Sequence, residues 1–158
     1  MLADCQSFYA SVEKSQNPDY VGKPIVVAGD PERRSGIVLA ACPLAKAKGI
    51  TTAEREAVAK CPELIVVRPR MAEYIRVSLQ ISDIYRSYTD LVEPYSIDEQ
   101  FIDVTGSLHL FGGNVEEMAR HIQQQVLSET GIYCRFGIAE NKILAKTACD
   151  NYAKKNAS

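Results

Sequence analysis

Two adjacent acids, Asp98 and Glu99, interrupt an otherwise apolar, strand-prone segment, Tyr95 to Val104 (YSIDEQFIDV). Asp and Glu are depleted from strands, and an unpaired buried carboxylate is expensive, so both acids are expected at the turn of a hairpin. Its strands are placed at Leu91 to Tyr95 and Gln100 to Val104, joined through Ser96, Ile97, Asp98 and Glu99. A tip of this kind either faces water or holds a cation, and on this segment alone the two readings weigh about equally.

The surrounding pattern frames that hairpin. Met71, Tyr74, Ile75, Ser78, Ile81, Ile84, Tyr85 and Tyr88 recur at three- and four-residue steps, which predicts an amphipathic helix over Met71 to Tyr88. Val115, Met118, Ala119, Ile122 and Val126 predict another, followed by a strand at Cys134 to Ala139 and a last helix at Asn141 to Lys154. With a first strand at Leu2 to Cys5, the order is β, an inserted lobe, then α, β, β, α, β. That is the split βαβ, ferredoxin-like arrangement, an α+β fold built on an antiparallel sheet.

The inserted residues, 11–70, have their own pattern. Two β-branched runs, Pro24 to Ala28 (PIVVA) and Gly36 to Ala41 (GIVLAA), read as strands of a hairpin turned by Gly29 to Ser35. Helices are expected at Pro43 to Lys48 and Thr52 to Lys60, the second capped by Thr51 or Thr52.

Composition narrows the function classes. The 158 residues are 46% hydrophobic, enough for a core and a small second lobe. Apolar runs such as Pro24 to Ala28 and Leu64 to Val67 fall far short of the roughly 20 residues of a membrane span, and Met1 to Asp4 carries no secretory leader, so a cytoplasmic location with no membrane partner is expected. Five cysteines without a CxxC pair suit free thiols better than disulfides or zinc. A net charge of −2 argues, taken alone, against a phosphate backbone as partner. Residues Arg135 to Lys155 nevertheless carry five positive charges against Glu140 and Asp150.

A second acid position, Asp4, ends the first apolar strand and is followed by Cys5, Gln6, Ser7, Phe8, Tyr9, Ala10 and Ser11. It could cap the helix beginning near Ser7; in the ferredoxin-like order it also lies beside the Asp98 hairpin, and oxygen ligands clustered in that way suit Mg2+.

Three segments taken together resemble a known family. DCQSFYASVE at Asp4 to Glu13, YSIDEQF at Tyr95 to Phe101 and GIAENKILAKTACD at Gly137 to Asp150 are similar, in order and spacing, to the Y-family translesion DNA polymerases of the DinB/UmuC type, in particular the ImpB/MucB/SamB-like branch. The resemblance implies a palm at residues 1–10 and 71–158 and a small fingers lobe at residues 11–70. It implies that Asp4, Asp98 and Glu99, with the backbone carbonyl of Cys5, bind two Mg2+ ions about 4 Å apart for transfer of a nucleotide from a dNTP to a primer 3′-hydroxyl. Tyr9 matches the aromatic gate that excludes a 2′-hydroxyl, with Ser7 and Phe8 lining the same nucleotide floor. Lys154 matches the lysine that reaches the triphosphate, and Lys142 and Lys146 fall near the DNA backbone.

The sequence also departs from the family. Where many members carry a Tyr and an Arg in the fingers helix, this chain has ACPLAKAKGI: Pro43 replaces the Tyr, and Lys46 supplies charge without a bidentate fork. Family members continue into thumb and little-finger domains, which the chain does not reach by Ser158. The resemblance therefore implies that primer-template DNA is gripped mostly by sequence elsewhere, that a sliding clamp or SOS accessory proteins bind there too, and that the fragment alone is inactive. Two other readings remain open at this point. One is a nucleotidyl cyclase, which also uses paired acids on a ferredoxin-like sheet; the other is a non-catalytic palm acting as a protein-interaction module in the damage response.

Overall fold

A computed structural model describes residues 1–29, 37–53 and 57–154. In chain order these form β1 (Leu2–Cys5), α1 (Phe8–Gln16), β2 (Ile25–Ala28), β3 (Val38–Ala41), α2 (Pro43–Ala47), α3 (Ala57–Lys60), β4 (Ile65–Val67), α4 (Met71–Arg86), β5 (Val92–Pro94), β6 (Glu99–Ile102), α5 (Val115–Thr130), β7 (Cys134–Gly137) and α6 (Lys142–Ala148). They divide into two compact units, one of Met1–Gln6 with Ile75–Ser158 and one of Ser7–Tyr74. Both chain crossings fall four residues from the expected boundaries. Among the described residues no helix is long and apolar enough to cross a membrane.

The first unit holds a four-stranded antiparallel sheet in the order β5-β6-β1-β7. Each outer crossover skips one strand, so two split βαβ units interleave, as the sequence order requires. Register then assigns the faces. Leu2 pairs with Phe101 and Gly137, and Asp4 with Glu99 and Arg135, so these six residues share one face, while Ala3, Cys5, Gln100, Ile102, Cys134 and Phe136 lie on the other.

α4 and α5 cover the second face. Ser82 donates to the Gln100 side chain at 2.9 Å, the Tyr85 hydroxyl donates to Cys134 Sγ at 3.3 Å, and the Tyr85 ring meets Phe136 edge-on. From α5, Met118, Ala119, Ile122 and Val126 are buried, and Gln123 donates to the Cys134 carbonyl. The buried stripe of α4 runs through Tyr74, Val77, Ile81, Ile84 and Tyr85. Met71 and Ile75, expected on that stripe, are exposed, and Ser78 points its hydroxyl at the Ile97 carbonyl, because the helix is rotated to bring Val77 inward.

α6 lies across the first face, where Leu2, Phe101, Ala145 and Cys149 pack together. The approach is so close that a Cβ at Gly137 would stand 2.0 Å from the Ala145 carbonyl oxygen. The last helix is not the continuous α-helix expected over Asn141 to Lys154. After Ala148 it widens into a π-turn, Cys149–Ala153, closed by a bond from the Lys154 amide to the Cys149 carbonyl.

In the second unit, β2 pairs with β3 antiparallel and with β4 parallel. β4 is three residues of an apolar run too short to announce itself as a strand; its parallel partner β2, buried throughout, supplies the pairing. Most of the turn expected at Gly29 to Ser35, and residues 54–56 of the helix expected at Thr52 to Lys60, lie outside the described residues; Thr52 and Ala53 form a turn, with Ala53 at a positive φ that a helix does not allow, and only Ala57–Lys60 is helical. α1 buries Phe8, Ala10, Val12 and, unusually, Glu13. Arg70 explains the buried carboxylate: its Nε and Nη2 donate to the two Glu13 oxygens at 3.0 and 2.7 Å, and the Tyr74 hydroxyl adds a third bond at 2.7 Å.

Candidate active site

The hairpin between β5 and β6 is tight because the Tyr95 and Ser96 amides both donate to the Glu99 carbonyl, at 2.9 and 3.0 Å. It locks onto β1 through a bond from the Cys5 amide to the Asp98 carbonyl at 2.9 Å. Asp4 is thereby set directly across from Glu99, one residue beyond Asp98. Three acids from two distant segments reach one end of the sheet.

Their charges are distributed unevenly. The Asp4 side chain is 8% exposed, and burial raises its pKa above the usual carboxylate value, partly offset by the hydrogen bond from Lys154. Lys154 Nζ lies 2.8 Å from Asp4 and 3.7 Å from Glu99. Lys146 Nζ lies 2.8 Å from the same Glu99 oxygen. Asp98 is engaged differently: its Oδ1 accepts from the Ser96 hydroxyl at 2.7 Å, and that hydroxyl accepts from the Glu99 amide. Among the described residues no three His, Cys, Asp or Glu side chains are gathered as a metal-holding group. Asp4 and Glu99 hold lysines, and Asp98 holds Ser96.

Of the other residues singled out in the sequence, Lys142 pairs with Glu93 at 2.5 Å and lies over the Phe101 ring, while Lys146 lies over Tyr95. Both therefore follow the β5–β6 edge. The Cys5 thiol faces away from Asp4, meeting Cys134 Sγ at 3.2 Å, which with burial holds its pKa well above the ordinary range.

Phe8, Tyr9 and Lys46 belong to the second unit. Phe8 is 3% exposed and packed into that unit's core, so it has backbone rather than ring to offer a ligand. Tyr9 stacks on Tyr74 at 4.5 Å between centroids, with the planes 16° apart. Lys46 is exposed in the last turn of α2. Ser7 occupies the N-cap of α1 in a left-handed conformation, makes no side-chain cap and buries its Oγ without a partner; Asp4 stays in its strand rather than capping this helix.

One residue was missed by sequence reasoning. Asp150, on the π-turn, lies 2.8 Å from Lys154 and 3.5 Å from Lys146. Its signal was the spacing Lys146, Asp150, Lys154, two successive four-residue steps on one helical face.

The chain is similar to known proteins over most of its length. The profile of the impB/mucB/samB family matches residues 3–150. The "DNA polymerase IV 2" of Bacillus subtilis is 62% identical over 157 residues, covering 98% of this chain and 38% of that protein. The protein of the same name from Halalkalibacterium halodurans is 55% identical, covering 99% of this chain and 39% of its own length. Among solved structures, DinB from Sulfolobus solfataricus superposes with a TM-score of 0.84 at 35% identity, and the insertion ternary complex of Dbh DNA polymerase with 0.83 at 35%. Each of these covers 94% of this chain, which in turn covers 44% of theirs. The chain thus spans about two fifths of the length of the relatives it matches.

Proposed function

The chain belongs to the impB/mucB/samB family, and from that footing we propose that it forms the palm and fingers of a DNA-directed DNA polymerase working in translesion synthesis. The palm corresponds to the unit built on the β5-β6-β1-β7 sheet and the fingers to the Ser7–Tyr74 unit. The observation that carries the reading is the register of Asp4 against Glu99, with Asp98 next in the chain. Two oxygen-rich side chains held opposite each other, with a third adjoining, are what nucleotidyl transfer between a primer hydroxyl and a triphosphate demands of a protein.

The donor set fits divalent metal. Asp4 and Glu99 already hold a cation, the Lys154 ammonium, and all three acids offer hard oxygen. Asp4, Asp98, Glu99 and the Cys5 carbonyl would hold two Mg2+ ions. The chemistry those ions supply when bound is acidification of the primer 3′-hydroxyl and neutralisation of charge on the triphosphate.

The chain's own groups do the rest by position and charge. Lys154 offers its ammonium to the triphosphate, and Lys46 adds charge without a fork. The Tyr9 ring, braced by Tyr74, excludes a ribose 2′-hydroxyl. Lys142 and Lys146, along the β5–β6 edge, meet DNA phosphates. No side chain forms a covalent intermediate, so catalysis rests on placement and electrostatics. Primer-template DNA and dNTP are the partners, with a clamp or SOS accessory protein held by sequence outside this chain, in the cytoplasm.

Primer extension past a blocking lesion by the full-length protein tests the reading. Extension that requires Mg2+ and stops on chelation supports it. A protein that binds primer-template but never extends a primer overturns it.

A further inference from the structure

Three carboxylates and two ammonium groups meet where the π-turn crosses the sheet. Lys154 touches Asp4 and Asp150, each at 2.8 Å, and comes within 3.7 Å of Glu99; Lys146 bridges Glu99 at 2.8 Å and Asp150 at 3.5 Å. Asp4 and Glu99 are like charges directly opposite one another on a sheet, an arrangement that is destabilising unless a positive charge lies between them. Lys154 provides it. Burial works against the ammonium, yet its bonds to Asp150 and Asp4 outweigh that and hold its pKa above the ordinary lysine range.

A divalent ion bound through Asp4 must take that carboxylate from Lys154. An ammonium expelled from a half-buried site with no second partner would add its own desolvation cost to that exchange. Here a second partner is already bonded: Asp150 sits one helical step before Lys154 and needs no rearrangement to keep the charge paired. Lysine suits the role because its ammonium is a compact charge on a flexible stem, whereas a guanidinium fork would be fixed to one carboxylate.

We propose that Lys154 serves as the internal counter-ion of the Asp4–Glu99 pair until a divalent cation takes Asp4, and that Asp150 is the positioning residue that keeps the released ammonium at the site. The proposal rests on the metal-binding reading given above. Its consequence is an order of events: Lys154 becomes available to a triphosphate only once the carboxylates are loaded, so metal occupancy and nucleotide grip are coupled through one side chain.

The test is Mn2+ binding to the full-length protein without nucleotide or DNA, followed by electron paramagnetic resonance of the free ion. Lys154→Met is expected to tighten binding about fivefold, and Asp150→Asn to weaken it about threefold, the scale of a partly buried ion pair. In the Lys154→Met background, Asp150→Asn is expected to change affinity by less than about 1.5-fold, because its effect runs through Lys154. Unchanged or weaker binding in Lys154→Met, or an equal effect of Asp150→Asn in both backgrounds, overturns the proposal. Binding that survives Asp4→Asn unchanged overturns the metal reading itself and the proposal with it. Should Lys154→Met fail to fold, the wild-type protein decides: the Lys154 side-chain ammonium resonance must shift on Mg2+ addition, and a resonance that stays put refutes the hand-over.

Discussion

Asp4 on β1 stands directly opposite Glu99 on β6, and the Lys154 ammonium lies 2.8 Å from the first and 3.7 Å from the second. The sheet therefore presents paired negative charge on a face whose neighbouring positions, Leu2 and Phe101, are core. Such a placement costs stability and is retained where chemistry needs it. The elements that hold it, the tight β5–β6 turn and the π-turn after α6, make specific predictions.

Gly137 fixes how closely α6 approaches the sheet. A Cβ there would meet the Ala145 carbonyl oxygen at 2.0 Å and the Cys149 amide at 2.6 Å, both backbone atoms that cannot rotate away. Gly137→Ala should cost about 3 kcal/mol or more, measured by denaturant unfolding of the full-length protein. A loss under about 0.5 kcal/mol would show that α6 is free to move off the sheet.

All five cysteines are buried, and burial, reinforced by the nearby Asp4 charge, pushes the Cys149 thiol up to about 11. Thiolate is the reactive form, so iodoacetamide at about pH 8 should label none of the five in the native protein and all of them after unfolding. Rapid native labelling of Cys5, Cys134 or Cys149 would contradict the packing described for the sheet.

Much of this was legible from residue type and spacing. The apolar run interrupted by Asp98 and Glu99 located the hairpin, but only Asp98 lies in its turn, because Glu99 pairs with Asp4 as the first residue of β6 rather than joining the turn as expected; the β, α, β, β, α, β order matched the antiparallel sheet. Less legible were features set by tertiary contact. β4 is only three residues and exists through pairing with β2. The inward face of α4 admits Val77 and excludes Met71 and Ile75, a rotation of the helix that periodicity alone leaves open. The π-turn arises where α6 crosses Gly137, and without it Asp150 reads as one more charge in a solvated run. Asp98, grouped with Asp4 and Glu99 from the ferredoxin-like strand order and the motif, is turned onto Ser96, a local bond that competes with any ligand.

Tyr9 carries the prediction for sugar choice. Its ring is stacked on Tyr74, whose hydroxyl is bonded to the buried Glu13, so the aromatic surface is held rather than free to swing. Tyr9→Ala should raise ribonucleotide incorporation at least about 10-fold with little change in incorporation of the matching deoxynucleotide, read from single-nucleotide incorporation kinetics. Unchanged ribonucleotide exclusion would remove Tyr9 from the gate.

The most direct measurement of the central claim is single-turnover nucleotide incorporation by isosteric variants of the three acids in the full-length protein, with primer-template affinity measured in parallel. Asp4→Asn, Asp98→Asn and Glu99→Gln should each slow incorporation at least about 100-fold while DNA binding is retained, as expected when a ligand of catalytic metal is neutralised. Incorporation within about threefold of wild type in Asp98→Asn or Glu99→Gln would show that the two acids of the β5–β6 hairpin do not carry the chemistry.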